Sequence, residues 1–143
     1  MYKTILVTLE ATPTDRAIIE HIKQLAKVMG SRVVLLHVAT GVPAQFHGPE
    51  AAGEEIEEDT SYLGRVKTEF EAAAIPVDAQ LAYGDPVKEI VRWVQENKCD
   101  LVAMSTHGHR AVADLILGAT ASRVQHSVSV PVLLLRARRS GQD

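Results

Sequence analysis

Disulfide bonds, membrane-spanning segments and an excess of basic charge are all missing from this chain of 143 residues. Cys99 is the single cysteine, so no disulfide bond can form within the chain, which fits a reducing compartment. No apolar stretch is long enough to cross a bilayer, and the first residues lead directly into a strand-like run rather than a signal region. These absences predict a cytoplasmic protein that does not act in a membrane.

The charge balance argues against a nucleic-acid partner. The net charge is −3 and the pI is near 6.1, whereas proteins that bind nucleic acids present a basic face. Basic residues cluster only at Arg136, Arg138 and Arg139, around the start of a predicted solvated tail over residues 137–143. With 46% hydrophobic and 23% charged residues, the composition is that of an ordinary globular chain, and its length predicts a single domain over residues 1–143.

Short apolar runs alternate with amphipathic stretches along the whole chain. Continuous apolar runs, which are typical of strands covered on both faces, predict strands at residues 5–7, 33–38, 101–104 and 130–135, and a weaker strand is predicted at residues 76–83. Three- and four-residue spacing of apolar side chains predicts helices at residues 15–29, 54–74 and 119–127, and a fourth that begins at Pro86 with Asp85 as N-cap. Gly30 is the expected stop of the first helix.

Three finer predictions concern the middle of the chain. Residues 39–53 are rich in glycine and proline and lack periodicity, which predicts a flexible loop. The helix over residues 54–74 is expected to bury Ile56 and to expose its acidic first turn to solvent. Trp93 lies off the apolar stripe formed by residues 87, 90, 91 and 94, so we expect it to be partly exposed.

Alternation of strands and helices predicts an α/β fold of one doubly wound domain. Its five parallel strands are expected in the order 3-2-1-4-5, with helices on both faces. In such a sheet, a ligand crevice lies at the carboxyl ends of the strands where the order reverses, here between strands one and four. That crevice would collect Thr8, Leu9 and Glu10 from one side and residues 104–108 from the other, with Val38 nearby.

One stretch has the character of an anion site. Ser105-Thr106-His107-Gly108 follows the fourth predicted strand, and Gly118-Ala119-Thr120 opens the last helix. A strand, a glycine-containing loop and a helix start present backbone N–H groups to an anion. Other chemistry has little support: His107 and His109 lack the partners of a metal motif, and no phosphate-loop lysine, acidic pair or activated nucleophile is present. We predict no metal site and no enzyme, although weak ATP hydrolysis stays open.

The ordered segments together resemble the universal stress protein family. The resemblance rests on Ile5-Leu6-Val7, Leu35-Leu36-His37-Val38, Gly84-Asp85-Pro86, the run from Asp100 to Gly108, Leu117-Gly118 and Val130-Pro131-Val132-Leu133. The nucleotide-binding branch of that family carries G-x2-G-x9-G-[S/T] in its phosphate loop, and this chain has S-x2-G-x9-G-A. Ser105 replaces the first glycine and Ala119 replaces the hydroxyl residue, while Glu10 stands where the family usually has Asp.

The resemblance implies an adenine-nucleotide-binding stress protein whose ligand is ATP, or ADP or AMP, with or without Mg²⁺. The implied binding residues are Thr8, Leu9, Glu10, Val38, Met104, Ser105, His107, Gly108, His109, Arg110, Gly118, Ala119 and Thr120. The apolar strand from Val130 to Leu135 would aggregate if left bare at a sheet edge, so we predict a homodimer through it. Ser105 and Ala119 favour the alternative, a stress protein that binds no nucleotide and acts as a protein-interaction dimer.

Overall fold

The computed structural model describes residues 1–40, 49–107 and 120–137, with the backbone alone at residues 49–52 and 107. Its elements, in chain order, are β1 (Thr4–Leu9), α1 (Asp15–Met29), β2 (Arg32–Ala39), α2 (Pro49–Ala72), β3 (Val77–Tyr83), α3 (Pro86–Glu96), β4 (Leu101–His107), the helical residues 120–127 (α4) and β5 (Val132–Ala137). The predicted alternation of strands and helices is confirmed throughout the described ranges.

The five strands form one sheet in the order β3-β2-β1-β4-β5, and every pair is parallel. This confirms the predicted α/β fold and its strand order. The order reverses between β1 and β4, because β1 is followed in sequence by β2 on one side while β4 and β5 lie on the other. The amino ends of these two strands are fixed by Asp100, whose carboxylate accepts the N–H groups of Lys3 and Thr4 at 2.8 and 2.9 Å.

Two hydrophobic cores cover the two faces of the sheet, because successive side chains of a strand point to opposite sides. One core packs α1 and α2 against alternate strand residues, and includes Ile5, Leu35 and Phe70. The other packs α3 and α4 against the intervening residues, and includes Leu6, Leu36 and Val124. The doubly wound arrangement therefore follows from strands that are apolar on both sides.

Helix α2 differs from its prediction in its length and in its first turns, whereas the predicted apolar stripe of Leu63, Val66 and Phe70 is buried as expected. It begins at Pro49, so residues 49–53 of the predicted flexible loop are helical, while residues 41–48 lie outside the described part of the chain. Ile56 is 37% exposed and Asp59 only 9%, which is the reverse of the expected pattern. Asp59 contacts His37 near the end of β2, so the turn that carries Ile56 extends past the sheet, where no core of the described residues covers it.

Two further predictions are wrong in detail. Trp93 is buried in the second core, at three-residue spacing from Val87 and Ile90, and its indole N–H donates to Oε1 of Gln80 at 2.9 Å. This hydrogen bond satisfies the one polar atom of the ring, which is what allows Trp to be buried. Strand β5 runs from Val132 to Ala137 rather than from Val130 to Leu135: its start follows Pro131, which has no N–H to give to the sheet, and its end includes Ala137, the first residue of the predicted tail.

Candidate functional site

A cavity of about 500 Å³ opens at the carboxyl ends of the strands, where β1 and β4 lie side by side. This is the position that the strand order predicts for a ligand crevice. Of the residues predicted to bind a ligand, the structure brings seven together in its lining: Thr8, Leu9, Glu10, Val38, Met104, Ser105 and Thr120. They come from three neighbouring strands and the start of α4.

The remaining predicted residues fall at or beyond the edge of the described ranges. Strand β4 runs to His107, so Ser105, Thr106 and the backbone of His107 belong to the strand and not to the loop that was predicted to follow Met104. Gly108, His109, Arg110, Gly118 and Ala119 lie outside the described residues. Their role as a phosphate loop therefore stays a prediction.

One wall of the cavity is apolar and belongs to the core beneath α3 and α4. Leu36, Val38, Met104 and Ala121 line it, and all four side chains pack in that core. Leu9 also lines the cavity, but its side chain packs in the opposite core, beneath α1 and α2. The predicted apolar contacts therefore divide between the two faces of the sheet, with Val38 and Met104 on the same side.

The opposite wall is acidic, and sequence reasoning found only part of it. Glu10, Glu55, Glu58 and Asp59 line the cavity, while no lysine or arginine does so among the described lining residues. The run of acidic residues at positions 54–59 is the signal that pointed to this wall, but it was interpreted as a solvated helix turn. The carboxyl end of β2, placed beside the first turns of α2, buries Asp59, whereas Glu54, Glu57 and Glu58 are exposed as the prediction has it.

His37 and Asp59 form a buried pair beside the cavity. Nδ1 of His37 lies 2.8 Å from the carbonyl oxygen of Leu9 and donates to it, because a carbonyl can only accept a hydrogen bond. Nε2 lies 3.3 Å from Oδ2 of Asp59, close enough for an ion pair when the ring is protonated. The ring therefore connects the end of β1 to α2 through β2.

Two buried oxygen atoms at this cavity have no hydrogen-bond partner among the described residues. They are Oδ2 of Asp59 and Oγ of Ser105, and both residues line the cavity. Buried polar groups in proteins are nearly always paired, since an unpaired one costs about 1–3 kcal/mol. Oδ2 of Asp59 has the ion-pair distance to His37 but not the geometry of a hydrogen bond. Such atoms point to a ligand that supplies the missing partners.

A second buried carboxylate shapes the turn that carries Glu10. Asp15 is fully buried and accepts the N–H groups of Glu10 and Ala11 at 2.9–3.1 Å and the hydroxyl of Tyr62 at 2.7 Å. Burial, with the hydrogen bond to Asp15, raises the pKa of the Tyr62 phenol. Ala11 has φ of 62°, a left-handed conformation that costs a non-glycine residue energy and needs such support.

Two searches of the described residues gave negative findings. No group of three or more His, Cys, Asp or Glu side chains in these ranges is arranged to hold a metal ion. No helix of the described chain is both long enough and apolar enough to span a bilayer.

Comparison with known proteins decides the family. A model of the universal stress protein family matches residues 1–136. The chain belongs to the universal stress protein family. A universal stress protein of Thermus aquaticus is 30% identical over 138 residues, which cover 95% of this chain and 100% of that protein.

Solved structures of universal stress proteins share the fold. A structure of a Methanocaldococcus jannaschii family member matches with a TM-score of 0.81 and 25% identity, over 98% of this chain and 99% of the other. A universal stress protein solved in complex with cAMP matches with a TM-score of 0.73 and 17% identity, over 96% of this chain and 98% of the other. Both matches extend across the strands that form the cavity.

Proposed function

We propose that this universal stress protein binds an adenine nucleotide, with ATP as the leading candidate, and acts as a dimeric stress-response module without efficient catalysis. The observation that carries the proposal is the cavity at the reversal of strand order. Its volume of about 500 Å³ falls within the range of small-molecule sites. A solved structural relative in complex with cAMP gives independent support for an adenine nucleotide as the ligand class.

The two walls suit the two ends of a nucleotide. The base packs on the apolar wall, against Val38 and Met104, where its flat faces lose contact with water. Glu10, which is exposed at the end of β1, accepts a hydrogen bond from the adenine or the ribose. The acidic wall repels phosphates, which therefore lie away from it, near Thr120.

The phosphates need hydrogen-bond donors, and no lysine or arginine side chain among the described lining residues supplies them. We propose that they bind backbone N–H groups of residues 105–110 and 118–120, with Arg110 or Mg²⁺ adding positive charge. The sequence contains no phosphate-loop lysine motif and no nucleophile with a partnered base, so rapid hydrolysis is not expected. The proposed role is therefore to hold the nucleotide rather than to turn it over.

The test is calorimetric titration with ATP, with and without Mg²⁺, on the wild type and two tryptophan variants. Val38→Trp fills the cavity and should abolish the heat of binding. Val91→Trp is the matched control, because Val91 is also partly buried but lines a different surface groove on α3. No heat from the wild type at millimolar ATP would refute the proposal, as would undiminished binding by a folded Val38→Trp variant.

Strand β5 supports the dimeric part of the proposal. It is an edge strand that pairs only with β4, and Leu134 on it is 39% exposed. An unpaired apolar edge invites another strand, and a second copy of the chain covers it without leaving a new edge. The same edge would serve the alternative function, a stress protein that acts through protein contacts alone, which the absence of nucleotide binding would favour.

A further inference from the structure

We propose that Asp59 is a specificity-determining residue that accepts a hydrogen bond from a ribose hydroxyl, so that the cavity prefers ribonucleotides to deoxyribonucleotides. This inference rests on the proposed function, because it assigns a role within the same site. Asp59 stands on α2, outside the strand ends and the glycine loop that the resemblance marks as the nucleotide site.

The first step is the unpaired oxygen. Asp59 is 9% exposed, its Oδ2 is buried, and no described residue donates a hydrogen bond to that atom. A buried carboxylate oxygen without a donor is costly, and the cost is larger for a charged group than for a neutral one. A carboxylate can only accept, so the missing partner is an O–H or N–H donor.

The second step is that Asp59 is held in place before any ligand binds. His37 lies 3.3 Å from Oδ2 and is itself fixed by its 2.8 Å hydrogen bond to the Leu9 carbonyl. One turn further along α2, Leu63 is buried in the core. A preorganised acceptor loses little freedom on binding, which is what a specificity contact requires.

The third step assigns the donor to the sugar. Asp59 and His37 lie on the α1 and α2 side of the sheet, whereas the apolar wall that suits the base lies on the other side. Ser105 follows Ala103 by two residues in β4 and so faces the same side as Asp59, where its buried Oγ is also unpaired. The two neighbouring hydroxyls of a ribose can donate to Oδ2 of Asp59 and can donate to or accept from Oγ of Ser105. A carboxylate that accepts a hydrogen bond from a ribose hydroxyl is frequent in nucleotide-binding α/β folds.

The test measures the affinities of the wild type, Asp59→Ala and Glu58→Gln for ATP, 2′-deoxy-ATP, 3′-deoxy-ATP and the triphosphate of purine riboside, which lacks the 6-amino group. The wild type should bind at least one deoxy form about tenfold more weakly than ATP, the loss expected for a hydrogen bond to a charged group. Asp59→Ala should bind ATP and that deoxy form with equal affinity, and this affinity should equal that of the wild type for the deoxy form. This last value also shows that the variant is folded.

Glu58→Gln is the control, because Glu58 lines the same cavity from the neighbouring position but is exposed. It should keep the full preference for ATP. Equal binding of ATP and both deoxy forms by the wild type would overturn the proposal, as would a preference that survives Asp59→Ala. Loss of discrimination only against purine riboside triphosphate would assign Asp59 to the base and overturn the sugar assignment. Absence of any ATP binding by the wild type would instead refute the proposed function.

Discussion

At the scale of single residues, two buried carboxylates near the cavity have different roles. Asp15 and Asp59 are both buried, yet only Asp15 has its hydrogen-bond partners within the described chain. We interpret Asp15 as a structural group, because it holds the turn that follows β1. The unpaired oxygen of Asp59 is interpreted as a ligand contact. The difference between the two lies in their partners and not in their burial.

Replacing Asp15 with alanine should destabilise the protein by about 2–4 kcal/mol, because it leaves the N–H groups of Glu10 and Ala11 and the Tyr62 hydroxyl without their acceptor. Chemical denaturation monitored by circular dichroism measures the loss. Glu20→Ala removes an exposed acid from the same helix and should change the stability by less than about 0.5 kcal/mol. Equal effects of the two substitutions would contradict the assigned role of Asp15.

The stability should also depend on the ionisation of Tyr62. Burial and the hydrogen bond to Asp15 raise the pKa of its phenol in the folded state, so the unfolded chain releases this proton first as the pH rises. The stabilisation is complete below the ordinary tyrosine pKa of about 10 and is lost above it. The free energy of unfolding, measured by denaturation between about pH 8 and 11, should decrease more steeply with pH for the wild type than for Tyr62→Phe. This interval extends roughly one unit or more to each side of the ordinary tyrosine pKa. Parallel curves would exclude this contribution.

At the scale of elements, features that depend on the local sequence pattern could be predicted, whereas features that depend on contacts with other elements could not. The inner strands β2, β1 and β4 are apolar on both faces, and the parallel direction of the sheet follows from the alternation of strands with helices. The apolar spacing of α2 predicted its buried face at Leu63 and Val66, but not the burial of Asp59 on that face, because an aspartate is expected in solvent unless a partner such as His37 is known. Trp93 was misplaced for a related reason, since its buried indole N–H donates a hydrogen bond to Gln80, a residue of a different element.

The start of α3 is an element whose local signal was sufficient. Asp85 is the N-cap, its carboxylate accepts the N–H of Lys88 at 2.9 Å, and Pro86 takes the first helical position. Asp85→Ala should lower the stability by about 1 kcal/mol, because that N–H then has no acceptor from the chain. Asp85→Asn retains a capping oxygen and should lie within a few tenths of a kcal/mol of the wild type. Denaturation midpoints at equal slope give the comparison, and an Asn variant as unstable as the Ala variant would disprove the capping role.

At the scale of the whole molecule, two features of the sheet matter for function: the cavity at the carboxyl ends of its strands and the apolar edge strand β5. The strand ends place six of the predicted binding residues around the cavity, and the strand order predicts this placement. Topology gave no indication of the acidic wall, because that wall depends on how α2 lies over the end of β2. Strand β5 lies at the edge of the sheet in a single copy of the chain, and we propose that copies associate through it.

A lysine at position 134 should prevent the proposed dimer, because it places a charge in the middle of an apolar edge strand. Light scattering should give twice the chain mass for the wild type and the chain mass for Leu134→Lys, with similar melting temperatures. Val28→Lys is the control, since Val28 is an exposed apolar residue on α1 that is 81% exposed. It should remain a dimer. A monomeric wild type, or a dimer that survives Leu134→Lys, would exclude β5 as the interface.

The central claim, that the cavity between β1 and β4 holds an adenine nucleotide, is tested most directly by amide chemical shifts during a titration with ATP. The account predicts saturable shifts at the residues of the cavity, with Thr8, Leu9, Val38, Met104 and Ser105 among the largest, and none at the amino ends of the strands around Lys3 and Asp100. Shifts confined to another surface, or no shifts at millimolar ATP, would contradict it.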